Sequence, residues 1–483
     1  MDFKSQVHQH FEQIAPVLDQ WNQRNRYYYR DLERLHQFLI PPNSRVLEIG
    51  CGTGDLLAAV TPNLGVGIDF SAAMVAIAHR KHPHLQFHCL DAEQISAIDN
   101  PVLEAAPFDY ILLAGVLGYL SDIQTVLDQL HQLCHPKTRL ILTFHNYLWE
   151  PLLHLAERLG QRRPQPQQNW LSMADVMNLL AITDYVPIKQ GRRFLLPKRI
   201  PLVADWINRY LAPLPGITHL CLTNYVVARP HYASLSLGDR PAPTCSVIIP
   251  ARNEAGNIAG AIERLPRLGS HTEVIFVEGH SRDNTWEAIQ QVMQQASDRP
   301  HLTIKAWQQT GNGKADAVRL GFAQATGDIL MILDADLTVP PEELSHFYDV
   351  IVSGRGEFIN GSRLVYPRSA QAMPWLNTLA NKFFASVFSF LLGQRLKDTL
   401  CGTKVLWRSD YERIAAGRAY FGEFDPFGDF DLLFGATKLN LHIVEVPVRY
   451  QPRSYGQSNI AHVREGLVLL RMCGYASRKL KFI

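Results

Sequence analysis

Apolar residues at Val7, Phe11, Ile14, Leu18 and Trp21, then at Leu32, Leu35 and Leu39, recur every three or four positions until Pro41-Pro42 ends the run. That period lays one side of a helix on a core, so a helical entry is predicted before Pro41. From Arg45 the pattern changes. Short apolar runs at Arg45–Ile49, Gly65–Ile68, Leu85–Cys89, Tyr110–Leu113 and Leu140–Phe144 alternate with helical stretches such as Ser71–Arg80 and Ile123–Leu133. Alternation of this kind reads as a parallel sheet with helices on both faces. Trp149–Pro215, rich in Pro, Gln, Arg and Leu, breaks the rhythm and reads as an insertion, and Leu220–Ala228 as a returning strand. Pro230–Thr244 has linker composition. A second alternating series follows, with strands expected at Ser246–Ile249, Glu273–Val277, Leu302–Ala306, Ile329–Leu333, Glu357–Asn360 and His442–Val446. Helices are expected between them at Asn257–Leu265, Thr285–Gln295, Lys314–Ala325 and Pro341–Val352. The expected organisation is an α/β domain over 1–229, a linker over 230–244 and a second α/β domain over 245–483.

Bulk properties narrow the class. A chain of 483 residues exceeds what one core organises. With 47% hydrophobic and 19% charged residues it is globular, and a formal charge of +2 gives no field to recruit nucleic acid. The seven cysteines are scattered without a C-x-x-C pair, which argues for a reducing compartment and against structural zinc or a disulfide framework. The polar start lacks a secretory signal, and Ile111–Leu120, Phe383–Leu392 and Gly466–Leu470 all fall short of the ~18 apolar residues of a spanning helix. A cytoplasmic protein is expected, reaching at most the inner face of the cell membrane as a peripheral protein. The stripe Trp375–Leu392 and the basic end from Arg464 to Lys481 are its candidate lipid contacts, with core packing or subunit contact the alternative. Nothing in the pattern specifies an oligomeric state.

Two strand ends carry candidate chemistry. At the first, Glu48-Ile49 runs into Gly50-Cys51-Gly52-Thr53-Gly54, a turn tight enough to need glycine. Asp69 ends the second strand, where a carboxylate grips ribose hydroxyls, and Asp91 ends the third, near a purine edge. This order of motifs resembles the class I S-adenosylmethionine-dependent methyltransferases, over the chain up to about Pro230. The resemblance implies a Rossmann-like fold, Gly50, Gly52 and Gly54 beside the amino-acid part of the cofactor, Asp69 on the ribose, Asp91 on the adenine amine and Glu48 organising the turn. An NAD-type site would prefer G-x-G-x-x-G, and a scaffold that binds nothing is the other alternative. His145, Asn146 and Tyr119 are candidate bases or pocket walls, and Tyr27-Tyr28-Tyr29 a candidate lid or packing element.

At the second, the strand Ile329–Leu333 runs into Asp334-Ala335-Asp336, hard oxygen ligands suited to Mg²⁺ or Mn²⁺ and a nucleotide diphosphate. Its companions are Pro250, Asn253 and Glu254 after the first strand, Glu278-Gly279-His280-Ser281 with Asp283 after the second, Lys314, Arg363, and Asp398 to Lys404. This set resembles the family 2 glycosyltransferases of GT-A fold, and among them the polyprenyl-phosphate hexosyltransferases, over about Ser246–Ile460. The resemblance implies a nucleotide-sugar donor near Pro250, Asn253, Glu254, Glu278, Asp283 and Lys314, with Asp334 and Asp336 at the nucleotide and metal. It also implies Arg363 facing an acceptor phosphate. One departure is Glu278-Gly279 where the family commonly has two aspartates. Lys404, Arg449 and Arg453 are further cations for a lipid phosphate, which needs no base. A hydroxyl acceptor would need one, for which Asp429 and Asp431 are the candidates, with helix capping as their alternative role.

Overall fold

The computed structural model describes residues 2–95, 101–231, 241–295, 299–366, 375–421, 430–456 and 462–482. The chain divides into two compact units, Met1–Ser236 with Phe482–Ile483, and Leu237–Lys481. Of the expected linker over 230–244, residues 232–240 lie outside the described residues.

The first unit is built on strands β1 (Arg45–Ile49), β2 (Leu64–Asp69), β3 (Gln86–Cys89), β4 (Phe108–Ala114), β5 (Cys134–His145), β6 (Tyr185–Arg193) and β7 (Thr223–Pro230). They lie in the order β3-β2-β1-β4-β5-β7-β6, parallel through β5, with β7 antiparallel to both neighbours. Two buried clusters coat the sheet, one with Leu47, Ile111 and Leu142, the other with Val46, Leu112 and Ile141, neighbours in sequence that point to opposite faces. Fully burying each such aliphatic side chain contributes about 1.5–3 kcal/mol. The expected entry helix is two helices, Phe3–Arg24 and Arg26–Leu39, broken at Asn25. The stretch Trp149–Pro215 is not an insertion. It supplies helix Met173–Ile182 and strand β6, which pairs along the whole of β7.

The second unit is built on β8 (Cys245–Ala251), β9 (Thr272–Glu278), β10 (Leu302–Gln308), β11 (Ile329–Ile332), β12 (Phe358–Ser362), β13 (Lys404–Trp407) and β14 (Ile443–Pro447). Their order is β10-β9-β8-β11-β13-β12-β14, with β13 antiparallel to β11 and β12. The sequence reading missed β13, whose four residues are too short a run to stand out. Helix Trp375–Leu392, a candidate for lipid contact or for core packing, sends Phe384, Phe388 and Leu392 into the core, where Phe388 packs on Phe430 and Phe434. Leu379 and Phe383 point outward. Among the described residues no helix is long and apolar enough to cross a membrane.

In both sheets the order of the parallel strands reverses at the centre, between β1 and β4 and between β8 and β11. Connections leave to opposite sides there, opening a crevice at the carboxyl ends of the strands.

Candidate functional sites

In the first unit, Gly50, Gly52 and Gly54 follow β1 with φ of 69°, 53° and 79°. Those are left-handed conformations that glycine adopts without strain. A Cβ on Gly50 would stand 2.7 Å from Val116 Cγ2, and one on Gly54 2.6 Å from Phe87. Both glycines therefore serve packing as well as the turn. Asp69, the last residue of β2, ties the turn down. One carboxylate oxygen accepts from the Gly52 amide at 2.9 Å, the other from the Ser71 amide at 2.9 Å. Burial pushes the Asp69 carboxyl up from its ordinary range. Glu48 is buried too, its pKa pushed up to about 8 by burial, and its Oε2 has no hydrogen-bond partner among the described residues. Asp91 caps the turn after β3 by accepting from the Glu93 amide at 3.0 Å, and it pairs with Lys4 from the first helix. That helix lies over the site, with Thr53 donating to Asp19 at 3.0 Å and Glu12 accepting from the Ala73 amide at 3.2 Å.

A cleft of about 270 Å³ opens at the ends of β4 and β5. Tyr28, Tyr29, Tyr119 and His145 line it, together with Arg162 and Arg163. His145 Nε2 lies 3.2 Å from the Tyr28 hydroxyl, and burial, aided by the two arginines, lowers its pKa to about 3. Asn146, a candidate base or pocket wall, donates to the carbonyls of His219 and Cys221 at 2.9 and 3.0 Å and fixes the turn after β5.

In the second unit, Asp334 and Asp336 leave β11 through a bend in which Leu337 has φ of 51°. Lys314 Nζ stands 2.7 Å from Asp334 Oδ1. Burial pushes the Asp334 carboxyl up, but Lys314, then Lys404 and Arg363, hold it below its ordinary range. Asp336 accepts from the Thr338 amide at 3.1 Å and hydroxyl at 2.8 Å, and from Arg453 Nη2 at 2.6 Å. Arg453 reaches across to Glu254 at 2.9 Å, so one guanidinium joins the loops after β8 and β11. Pro250 stands on β8 just before this loop. Asn253 accepts from the Arg282 amide at 2.7 Å, Glu278 from the Ser281 amide at 2.5 Å, and Asp283 from the Ala255 amide at 3.3 Å. Asn253 and Asp283 tie the first two loops together, while Glu278 braces the second loop on itself. A Cβ on Gly402 would stand 2.0 Å from Asp334 Oδ2, so a larger residue there would push the carboxylate aside.

Several expected roles change. Arg363 does not stand open toward an acceptor. It is held by Asp398 in a bidentate pair at 2.7 and 2.8 Å, with Asp398 fully buried and Tyr450 stacked 5.3 Å from the guanidinium. Lys404 is fully buried and turned to the Cys401 carbonyl, out of reach of a bulk phosphate. Asp431 is a poor base, because Arg319 at 3.1 Å and Arg418 at 3.0 Å both neutralise it. Arg319 and Lys314 share helix Lys314–Gln324. Positions five apart on a helix are rotated by about 140°, so Asp431 and Asp334 meet different sides of it. Asp429 lies outside the described residues. Arg449 is 65% exposed and pairs with Glu343 at 2.9 Å. The sequence reading missed Asp398 as the partner of Arg363; a buried arginine's need for a carboxylate was the available signal.

Comparison with known proteins agrees with this division. Residues 21–186 match the model of a methyltransferase domain, and residues 246–414 that of glycosyl transferase family 2. The chain is 28% identical over 249 residues to a dolichol-phosphate mannosyltransferase of Pyrococcus furiosus, an alignment covering 49% of this chain and 66% of that one, just under two thirds. It is 26% identical over 245 residues to a polyprenol monophosphomannose synthase of Mycolicibacterium smegmatis, covering 50% and 90%. A SAM-dependent methyltransferase structure from Thermotoga maritima, titled a possible histamine N-methyltransferase, matches with a TM-score of 0.36 and 16% identity, over 46% of this chain and 99% of that one. The chain thus joins a Rossmann-like domain that matches a methyltransferase model to a GT-A-like domain that matches glycosyl transferase family 2.

Proposed function

We propose that the second unit transfers a hexose, with inversion, from a nucleotide-diphosphate sugar to a polyprenyl phosphate, using Mg²⁺ or Mn²⁺ held by Asp334 and Asp336. The observation that carries this is the meeting of Asp334, Asp336 and Glu254 with Lys314 and Arg453 where the strand order reverses. Among the described residues no three acidic, histidine or cysteine side chains form a metal cage. Two carboxylates completed by substrate phosphates suit Mg²⁺, which rarely takes an all-protein cage. Bound there, the ion would neutralise charge on the departing diphosphate. Asn253, Glu278 and Asp283 hold the loops of the nucleotide side, with Pro250 at their root. A lipid phosphate is largely dianionic at neutral pH and attacks without a base. The clamping of Asp431 by two arginines supports that acceptor over a sugar hydroxyl, as do the names of the two relatives. Arg453 and the exposed Arg449 are the cations suited to place it, and contact with the inner membrane face would follow from the lipid.

For the first unit the proposed cofactor is S-adenosylmethionine, which supplies an activated methyl group. The fit rests on Glu48, whose buried Oε2 has no partner among the described residues, and on the glycine turn braced by Asp69. Asp69 would hold the ribose through its remaining lone pairs, and Asp91 the adenine edge.

Lipid extracts incubated with a panel of nucleotide sugars, with and without methyl donor, and read by mass spectrometry test both halves. A glycosylated lipid phosphate is expected from the wild type, falling at least 100-fold in chelator or with Asp336→Asn. Undiminished transfer under either condition overturns the metal reading, and calorimetry showing no uptake of S-adenosylhomocysteine overturns the cofactor reading.

A further inference from the structure

The cleft of the first unit keeps polar groups that the protein itself leaves unmatched. Arg163 lies over the Phe11 ring, 5.5 Å from its centre, and its buried Nη1 has no hydrogen-bond partner among the described residues. Nor has the buried hydroxyl of Thr143, on β5 in the same cleft. Arg162 differs, being already paired with Glu157. Buried donors of this kind are costly until a ligand satisfies them, and a guanidinium selects an anion.

The candidate bases, by contrast, are engaged. His145 Nε2 shares a hydrogen bond with the Tyr28 hydroxyl, Asn146 serves two backbone carbonyls, and the Tyr119 hydroxyl donates to Gln165 at 2.5 Å. An acceptor with a proton to shed finds none of these three ready to take it.

A third feature is apolar. Helix Glu150–Arg158 turns Leu153 and Ala156 toward the cleft, while Leu152, Leu155 and Leu159 are 55%, 52% and 65% exposed. Steps of three and four place those leucines on one stripe. On another stretch of the rim, Pro197 and Lys198 line the cleft, and the chain just after them leaves Leu202 87% exposed.

We propose that this cleft takes an oxyanion carried on an apolar tail, with Arg163 and Thr143 holding the charged head, and Leu153 and Ala156 passing the tail out to the exposed leucine stripe beside them. The inference rests on the methyl-transfer reading of the first unit and names its acceptor class. The oxyanion's lone pair forms the O–CH₃ bond while the C–S bond breaks with its electron pair passing to sulfur. No proton moves, so no base is required.

Isothermal titration of the full chain with decanoate, decyl phosphate, decanol, decylamine and butyrate, below micelle formation and with or without S-adenosylhomocysteine, tests this. Decanoate or decyl phosphate is expected to bind at least tenfold more tightly than decanol, decylamine and butyrate, and the tighter of the two anions identifies the head group. Arg163→Gln should weaken anion binding at least tenfold and Arg163→Lys restore most of it. Leu152→Ser with Leu155→Ser should weaken decanoate and leave butyrate unchanged. Affinity for S-adenosylhomocysteine should hold in every variant. Decanol binding as tightly as decanoate, or anion binding indifferent to Arg163, overturns the proposal. Failure of the wild type to take up S-adenosylhomocysteine would refute the methyl-transfer reading instead, and the anion arm without it would still decide the cleft's ligand.

Discussion

Glu48 sits beside the glycine turn with its pKa raised by burial to about 8, against an ordinary value near 4.5. An acid whose folded pKa is raised stabilises the fold while protonated, so its contribution is whole below about pH 4.5 and is lost as pH climbs toward 8. Glu48→Gln keeps the neutral form at all pH values. Its melting temperature should equal that of the wild type near pH 5 and exceed it by roughly 5–10 °C at pH 8.5, read on the transition that S-adenosylhomocysteine shifts. At the other site the decisive position is Gly402, where any Cβ would stand 2.0 Å from an Asp334 oxygen. Gly402→Ala should lower sugar transfer about 100-fold while circular dichroism stays unchanged. Charge and glycine patterns made Glu48, Asp69, Asp334 and Asp336 legible in the chain, because each stands at the end of an apolar strand. The opposite partners were not legible. Asp398 with Arg363, and Glu254 with Arg453, are separated in sequence by 35 and 199 positions, and only the folded sheet brings them together.

Strands flanked by strong apolar alternation could be read directly, and β1, β8 and β9 fall within two residues of expectation. Strand β6 carries Lys189, Arg192 and Arg193, charges that read as loop, and β13 is both short and opened by Lys404; each pairs antiparallel with a neighbour distant in sequence. Burial there is tolerated because the charges find partners, as Arg193 does in its bidentate pair with Asp31 at 2.8 and 2.6 Å. The helix leading into β6 opens on a side-chain cap. Ser172 accepts from the Asp175 amide at 3.2 Å and Asp175 from the Ser172 amide at 2.8 Å, a reciprocal cap. Ser172→Ala should cost about 1 kcal/mol in urea unfolding of the first unit.

Across the whole molecule, each unit encloses its own core around its own seven-stranded sheet. Calorimetric scanning should therefore resolve two transitions. S-adenosylhomocysteine at a hundred times its dissociation constant should stabilise one by about 2.7 kcal/mol and leave the other in place. A single transition moved as a block would show that the two cores melt together. At the proposed sugar-transfer site, Lys314 and Arg453 already pair with Asp334, Asp336 and Glu254. A bare divalent ion would have to evict a resident cation for little net gain. An ion arriving with the donor's diphosphate brings new negative charge, on which those two side chains can resettle. Metal titrations should thus show weak uptake alone and strong uptake beside donor, making the nucleotide sugar the gatekeeper of its own catalyst.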